Sequence, residues 1–130
     1  MATAFISPPM LRLRRSAQSG SKAMTAAWQV VYTESGPNAS AYIFGGSEIN
    51  LTPMQALDTI NIRVRKIVVS GGAWVNHDQK AYNDAQPVTH PSIHINPIPD
   101  VYGVEVSMQQ TAGGLRTIET EFYDAKRMGA

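Results

Sequence analysis

The sequence predicts a mainly β domain: about five antiparallel strands in a sandwich or open barrel, one short helix and an extended N-terminal arm. Three observations carry that expectation. Residues 60–70, INIRVRKIVVS, alternate apolar with polar side chains over their first half, the period of a half-buried strand. Turn-forming clusters (Ser35-Gly36-Pro37-Asn38, Gly45-Gly46-Ser47, Gly71-Gly72 and Ala112-Gly113-Gly114) separate the apolar runs. No acidic residue precedes Glu34, while Arg12, Arg14, Arg15 and Lys22 are basic and Pro8-Pro9 forces an extended path.

Residues 1–25 therefore read as a basic arm, and residues 26–130 as the β-rich domain. The arm suits contact with a neighbouring subunit, with Phe5, Ile6, Met10, Leu11 and Leu13 as its apolar anchors. Two other readings compete. Arg12, Arg14 and Arg15 suit nucleic acid phosphates, and the Arg- and Ser-rich, acid-free composition also suits a transit peptide.

In the body, Trp28, Val30 and Tyr32 alternate on one strand, and Ser40–Phe44 follows the turn at Gly36-Pro37. Together they predict a first hairpin. Thr52-Pro53-Met54-Gln55 carries the pattern of a capping box with proline at the first helical position, and predicts a helix of about two turns. The strand at Ile60 then takes over. Its phase slips at Lys66, so a bulge is expected near Arg65-Lys66, followed by a fully covered end at Ile67-Val68-Val69. Residues 73–100 hold Pro87, Pro91, Pro97 and Pro99 and read as a long irregular loop. Residues 101–111 and 115–123 predict a second hairpin. A loop over Ala112-Gly113-Gly114 would pair Met108 with Ile118, Val106 with Thr120 and Val104 with Phe122, with a left-handed glycine making the bulge. That register sets Glu105 opposite Glu121, and Arg63 and Arg65 on a neighbouring strand would neutralise them.

Composition narrows the function. The chain has 130 residues, enough for one domain. Charged residues make up only 16% against a typical ~25%. Net charge is +1, so no global basic field draws nucleic acid. There is no cysteine for disulfides or thiolate metal sites. No apolar run approaches the ~20 residues of a membrane-spanning helix.

His90 and His94 have a metal-like spacing, but Pro91 and Pro97 deny them a helix and no third ligand is evident. Glu105, Glu119 and Glu121 fall on an exposed face rather than across a cleft. Gly71-Gly72 and Gly113-Gly114 precede no helix, so they are turns and not phosphate cradles. No serine sits in a nucleophile elbow. Tyr32, Phe44, Phe122 and Trp28 read as core. The expectation is a chain that is not an enzyme, with no cofactor, metal or small-molecule substrate.

Sparse charge, a basic arm and the long proline-rich loop suit a structural subunit of a self-assembling complex. A virion component is the most natural such subunit: a coat, cement or head–tail completion protein. It would be assembled in the host cytoplasm without a secretion signal, with copies of itself and other virion proteins as partners. The alternative is a nucleic-acid-binding module that uses Arg12, Arg14 and Arg15 together with Arg63, Arg65 and Lys66, where neighbouring aromatics would stack bases.

Overall fold

A computed structural model describes residues 11–34, 42–100 and 102–127. These residues form ten strand segments: β1 (Leu11–Arg15), β2 (Gly20–Ala23), β3 (Gln29–Glu34), β4 (Tyr42–Asn50), β5 (Thr59–Lys66), β6 (Val75–Asn83), β7 (Ser92–Ile95), β8 (Ile98–Asp100), β9 (Val104–Ala112) and β10 (Thr117–Arg127). Among the described residues there is no helix. All strand pairs are antiparallel.

The segments occupy eight strand positions in two four-position sheets. β1 and β2 lie end to end along one side of β10, and β7 and β8 lie end to end along one side of β4. One sheet runs β1/β2, β10, β4, β7/β8; the other runs β3, β9, β5, β6. The pairing is nested in sequence. β5 pairs with β6, β4 with β7/β8, β3 with β9, and β1/β2 with β10. The chain is thus one long folded-over hairpin, rolled so that β10 also meets β4 and β9 also meets β5.

The core follows from strand alternation. Ile60, Ile62 and Val64 of β5 and Val104, Val106 and Met108 of β9 point inward from one sheet. Phe44 and Ile49 of β4 and Ile118 and Phe122 of β10 point inward from the other. Tyr32 joins the two layers: its ring lies 5.0 Å from both Phe44 and Phe122, centroid to centroid. Offset aromatic contacts at that distance add to the area they bury.

Several expectations need correction. The two predicted hairpins do not form. β3 and β4 belong to opposite sheets, as do β9 and β10. Residues Met108 and Ile118 therefore face the core from opposite layers and are not ladder partners. Alternation identifies the inward face of a strand, and that face looks the same whether the cover comes from beside it or across from it. The predicted placement of Glu105 opposite Glu121 falls in the same way, since β9 and β10 are in different sheets. Glu105 is paired with Arg65 across the β5–β9 ladder, as its predicted cation, and Glu121 is held by Arg15 at 2.7 Å.

The predicted helix after Thr52 is a pair of turns. Asn50 Oδ1 accepts the Thr52 N–H at 3.0 Å and also its hydroxyl, and Asp58 Oδ2 accepts the Gln55 N–H at 2.9 Å. These side-chain acceptors outcompete a helical ladder, while buried Leu51 and Met54 pin the loop to the core.

β5 ends at Lys66, and Val68 and Val69 are 59% and 60% exposed rather than covered. The bulge expected near Arg65 exists in the β5–β6 ladder, but β6 carries it. Val64 faces Asp78 and Arg65 faces Asn76, so His77 is the extra residue. Residues 73–100 are not irregular throughout, because they contain β6, β7 and β8.

The basic arm is also partly absorbed. Residues 11–15 and 20–23 are the edge of the first sheet, paired with their own chain. Leu11, Arg12, Leu13 and Arg14 therefore belong to the sandwich by their backbone. Phe5, Ile6 and Met10 lie outside the described residues.

One end of the sandwich is closed by a polar clasp. Arg116 donates to Asp58 through Nε at 2.7 Å and through a second nitrogen at 3.2 Å. Buried Gln110 donates to the carbonyls of Ala112 and Gly114, and its own oxygen accepts the Arg116 N–H. Asp58 is 1% exposed. The hydrogen bond from Arg116, and then that from Gln55, hold its carboxyl below the usual value of 3.8, against the opposing pull of desolvation.

A folded value below the unfolded one stabilises the fold above about pH 4 and is lost as pH falls through the folded value. In urea unfolding between pH 5 and pH 2, the wild type should therefore lose more stability than Asp58→Asn, which has no carboxylate to protonate. Equal acid sensitivity of the two proteins would show that the clasp does not depend on the Asp58 charge.

Candidate functional site

Two surfaces bring together side chains with chemistry beyond packing. The first is a cleft of about 200 Å³ where β6, at the edge of one sheet, faces β7 and β8, at the edge of the other. Ile62, Val64, Ile95 and Ile98 form its apolar floor. Asp78, Lys80 and Tyr82 reach it from β6 at every second residue, the spacing that places them on one face of a strand. Lys80 Nζ lies 5.2 Å from the centre of the Tyr82 ring, within cation–π range. Burial first, and then the Asp78 carboxylate, push the Tyr82 hydroxyl above its ordinary value of 10.0. The Tyr82 phenol is therefore a neutral hydrogen-bonding group at the mouth of the cleft.

The second surface is the outer face of the β3–β9–β5–β6 sheet. Arg63 and Arg65 project there from β5. The Arg63 guanidinium sits 4.1 Å over the Trp28 ring, and its Nε is buried without a hydrogen-bond partner. Burial first, then the neighbouring Arg65, lower the Arg63 pKa from its ordinary value, with Glu105 acting in the opposite sense. Arg65 forms an ion pair with Glu105, which also accepts the Ser107 hydroxyl at 3.1 Å, and lies 6.0 Å from the Trp74 ring. Gly103 lets Trp74 close over this face, since a Cβ there would lie 2.9 Å from the ring. Trp28 is thus a lid on the outside of a sheet and not a core residue.

The predicted basic residues do not converge. Arg15 is on the first sheet with Glu121, while Arg63, Arg65 and Lys66 are on the second. Lys66 ends β5 between Val75 and Val104. The histidines also separate. His94 Nδ1 meets Glu48 at 2.8 Å on the first sheet, and His90 lies in the loop before β7, its N–H donating to the Pro87 carbonyl at 3.0 Å. Among the described residues, no three metal-ligating side chains come together. The cleft itself was missed in the sequence because Val75–Asn83 shows no apolar face: eight of its nine residues are exposed. The Asp78, Lys80, Tyr82 spacing was the available signal.

With its eight positions, nested pairing and two rolled sheets, the described chain is a jelly-roll β-sandwich. No protein-family model matches it, and neither does any curated protein sequence. Solved structures do match. The crystal structure of PirA aligns with a TM-score of 0.58 and 11% identity over 85% of this chain and 96% of that one. The VP2 subviral particle of infectious bursal disease virus aligns with a TM-score of 0.53 and 12% identity, over 90% of this chain and 32% of that one. The structure of the Gx strain of the same virus gives a TM-score of 0.53 at 13% identity, over 92% of this chain and 32% of that one. This chain therefore spans about a third of the length of the viral chains that it matches. At such identities the likeness shows the fold alone.

Proposed function

We infer that this chain is a structural subunit of a self-assembling particle, a virion component of the coat, cement or head–tail completion kind. The observation that supports this most is the jelly-roll likeness to VP2 of a viral particle, which extends over 90% of the chain. A sequence with only 16% charged residues is in keeping with burial against neighbours. Its partners are copies of itself and other virion proteins, and its place is the virion assembled in the host cytoplasm.

The arm assigned to contact with a neighbour has Phe5, Ile6, Met10, Leu11 and Leu13 as its anchors, of which Leu11 and Leu13 also lie in β1. Removing residues 1–10 should leave the melting temperature nearly unchanged and loosen the assembly. Removing residues 1–22 should unfold the domain instead, since it strips β1 and most of β2 from β10. Particle size that ignores the shorter deletion would remove the arm from the contact.

The test of the whole reading is molar mass by light scattering, with absorbance at 260 and 280 nm in the same run. A ring or particle mass supports it, and a monomer under all conditions rejects it. The second reading, nucleic acid binding, draws on Arg63, which has no ion-pair partner among the described residues and stacks on Trp28. It would show as a large mass with nucleic acid absorbance, dissociating steeply with added salt.

A further inference from the structure

The four edges of the two sheets differ in how they can pair. β1/β2 is broken between Arg15 and Gly20, β7/β8 is broken at Asn96-Pro97, and β3 has only six residues. β6 runs for nine residues with one side paired to β5 and, among the described residues, no strand on the other side. An open edge of that length offers unpaired backbone donors and acceptors. Among the described residues neither Asp78 nor Lys80 has an ion-pair partner in its own chain; Asp78 Oδ1 accepts the Gln79 N–H at 2.8 Å, and Lys80 lies over the Tyr82 ring.

We propose that β6 pairs antiparallel with β6 of a second copy of this chain, about a two-fold axis at Gln79. Symmetry restricts the choice of register. With the axis perpendicular to the sheet, facing residues must lie on the same side of it, so the axis passes through a residue. An axis at Gln79 sets Asp78 opposite Lys80 of the partner, and Lys80 opposite Asp78, giving two ion pairs. It also sets the bulged His77 opposite Ala81, the smallest side chain of the strand. An axis one residue along, at Asp78 or Lys80, sets like charges face to face, which is unfavourable. Inward-pointing charges and a bulge ordinarily block edge pairing. On β6 they block the adjacent registers and leave one that is self-complementary. No other edge strand among the described residues carries such a charge pattern. Each four-position sheet containing β6 would then continue into its partner's, and two clefts would lie beside the two-fold axis.

This contact rests on the assembly reading and supplies one of its interfaces. The experiment is a charge exchange read by light scattering on the full chain, with circular dichroism to confirm folding. Lys80→Asp and Asp78→Lys should each reduce the mass, from two chains to the single-chain 14.1 kDa if the dimer is the only species. The double variant Asp78→Lys/Lys80→Asp is again self-complementary and should restore it. Amide exchange along β6 should slow in the wild type and the double variant and not in either single one. A particle whose mass survives both single reversals overturns the edge pairing and leaves the assembly reading standing. Failure of the double variant to recover mass also overturns the pairing. A wild type that stays at 14.1 kDa overturns both.

Discussion

Gly113→Val should be among the most damaging single substitutions in this protein, and Gly114→Val nearly silent. Gly113 has φ of +85°, and a Cβ built on it would lie 1.9 Å from Asp58 Oδ1 and 2.9 Å from the Asp58 Cα. Backbone strain of a β-branched residue there costs about 1–3 kcal/mol by itself. The overlap adds to it, because the Asp58 carboxylate must leave its position and release Arg116. Gly114 does not have a positive φ, and the atom nearest its built Cβ is an Arg116 nitrogen at 3.7 Å, an ordinary contact. A surface change of that kind stays within about 0.5 kcal/mol. Thermal unfolding of the two variants checks this. A similar loss in both would show that the turn, and not the Asp58 clasp, sets the requirement for glycine.

Phe122→Ala should cost about 3–5 kcal/mol, the range for removing a buried aromatic side chain. Phe122 is fully buried and stacks on Tyr32 from the opposite sheet. Its loss leaves a cavity between the two layers, where neither rigid sheet can move in to fill it. At roughly 3–5 °C per kcal/mol for a domain of this size, the melting temperature should fall by about 10–20 °C. Ile118→Val, also in β10 and fully buried, should cost only about 0.5–1.5 kcal/mol. Equal effects of the two substitutions would mean that the aromatic bridge does not carry the contact between sheets.

These two sites differ in how well they could be read beforehand. Phe122, Tyr32 and Phe44 stood out as core residues, because alternation and bulk locate an inward face without knowledge of its cover. The Gly113-Gly114 pair stood out as well, with one of the two expected in the left-handed conformation and a hairpin as its reason; the structure gives that conformation to Gly113. Its actual constraint is Asp58, distant in sequence and brought near by the crossing from β9 to β10. The Arg65–Glu105 pair was expected from charge balance and is present. The Asp58–Arg116 pair had no local signal, since its partners are 58 positions apart.

What the sequence determined by itself was the kind of element and the side of each that faces inward. Period-two alternation in Thr59–Lys66 and Val104–Ala112 makes strands of them whatever lies beside them. A mainly β sandwich with about the right core follows from that. Tertiary structure alone decided which strand pairs with which. A strand's backbone groups are the same at every position, so a neighbour in sequence has no chemical advantage over a distant one once the chain has rolled up. It also decided the fate of polar segments. Thr52–Gln55 gave up a helix to the acceptors of Asn50 and Asp58, and Val75–Asn83 became an edge strand because β5 offered it a ladder. The candidate surfaces belong to this second group. The β6–β7 cleft and the open β6 edge arise where the two sheets meet or stop, and those places exist only after the nested pairing is complete.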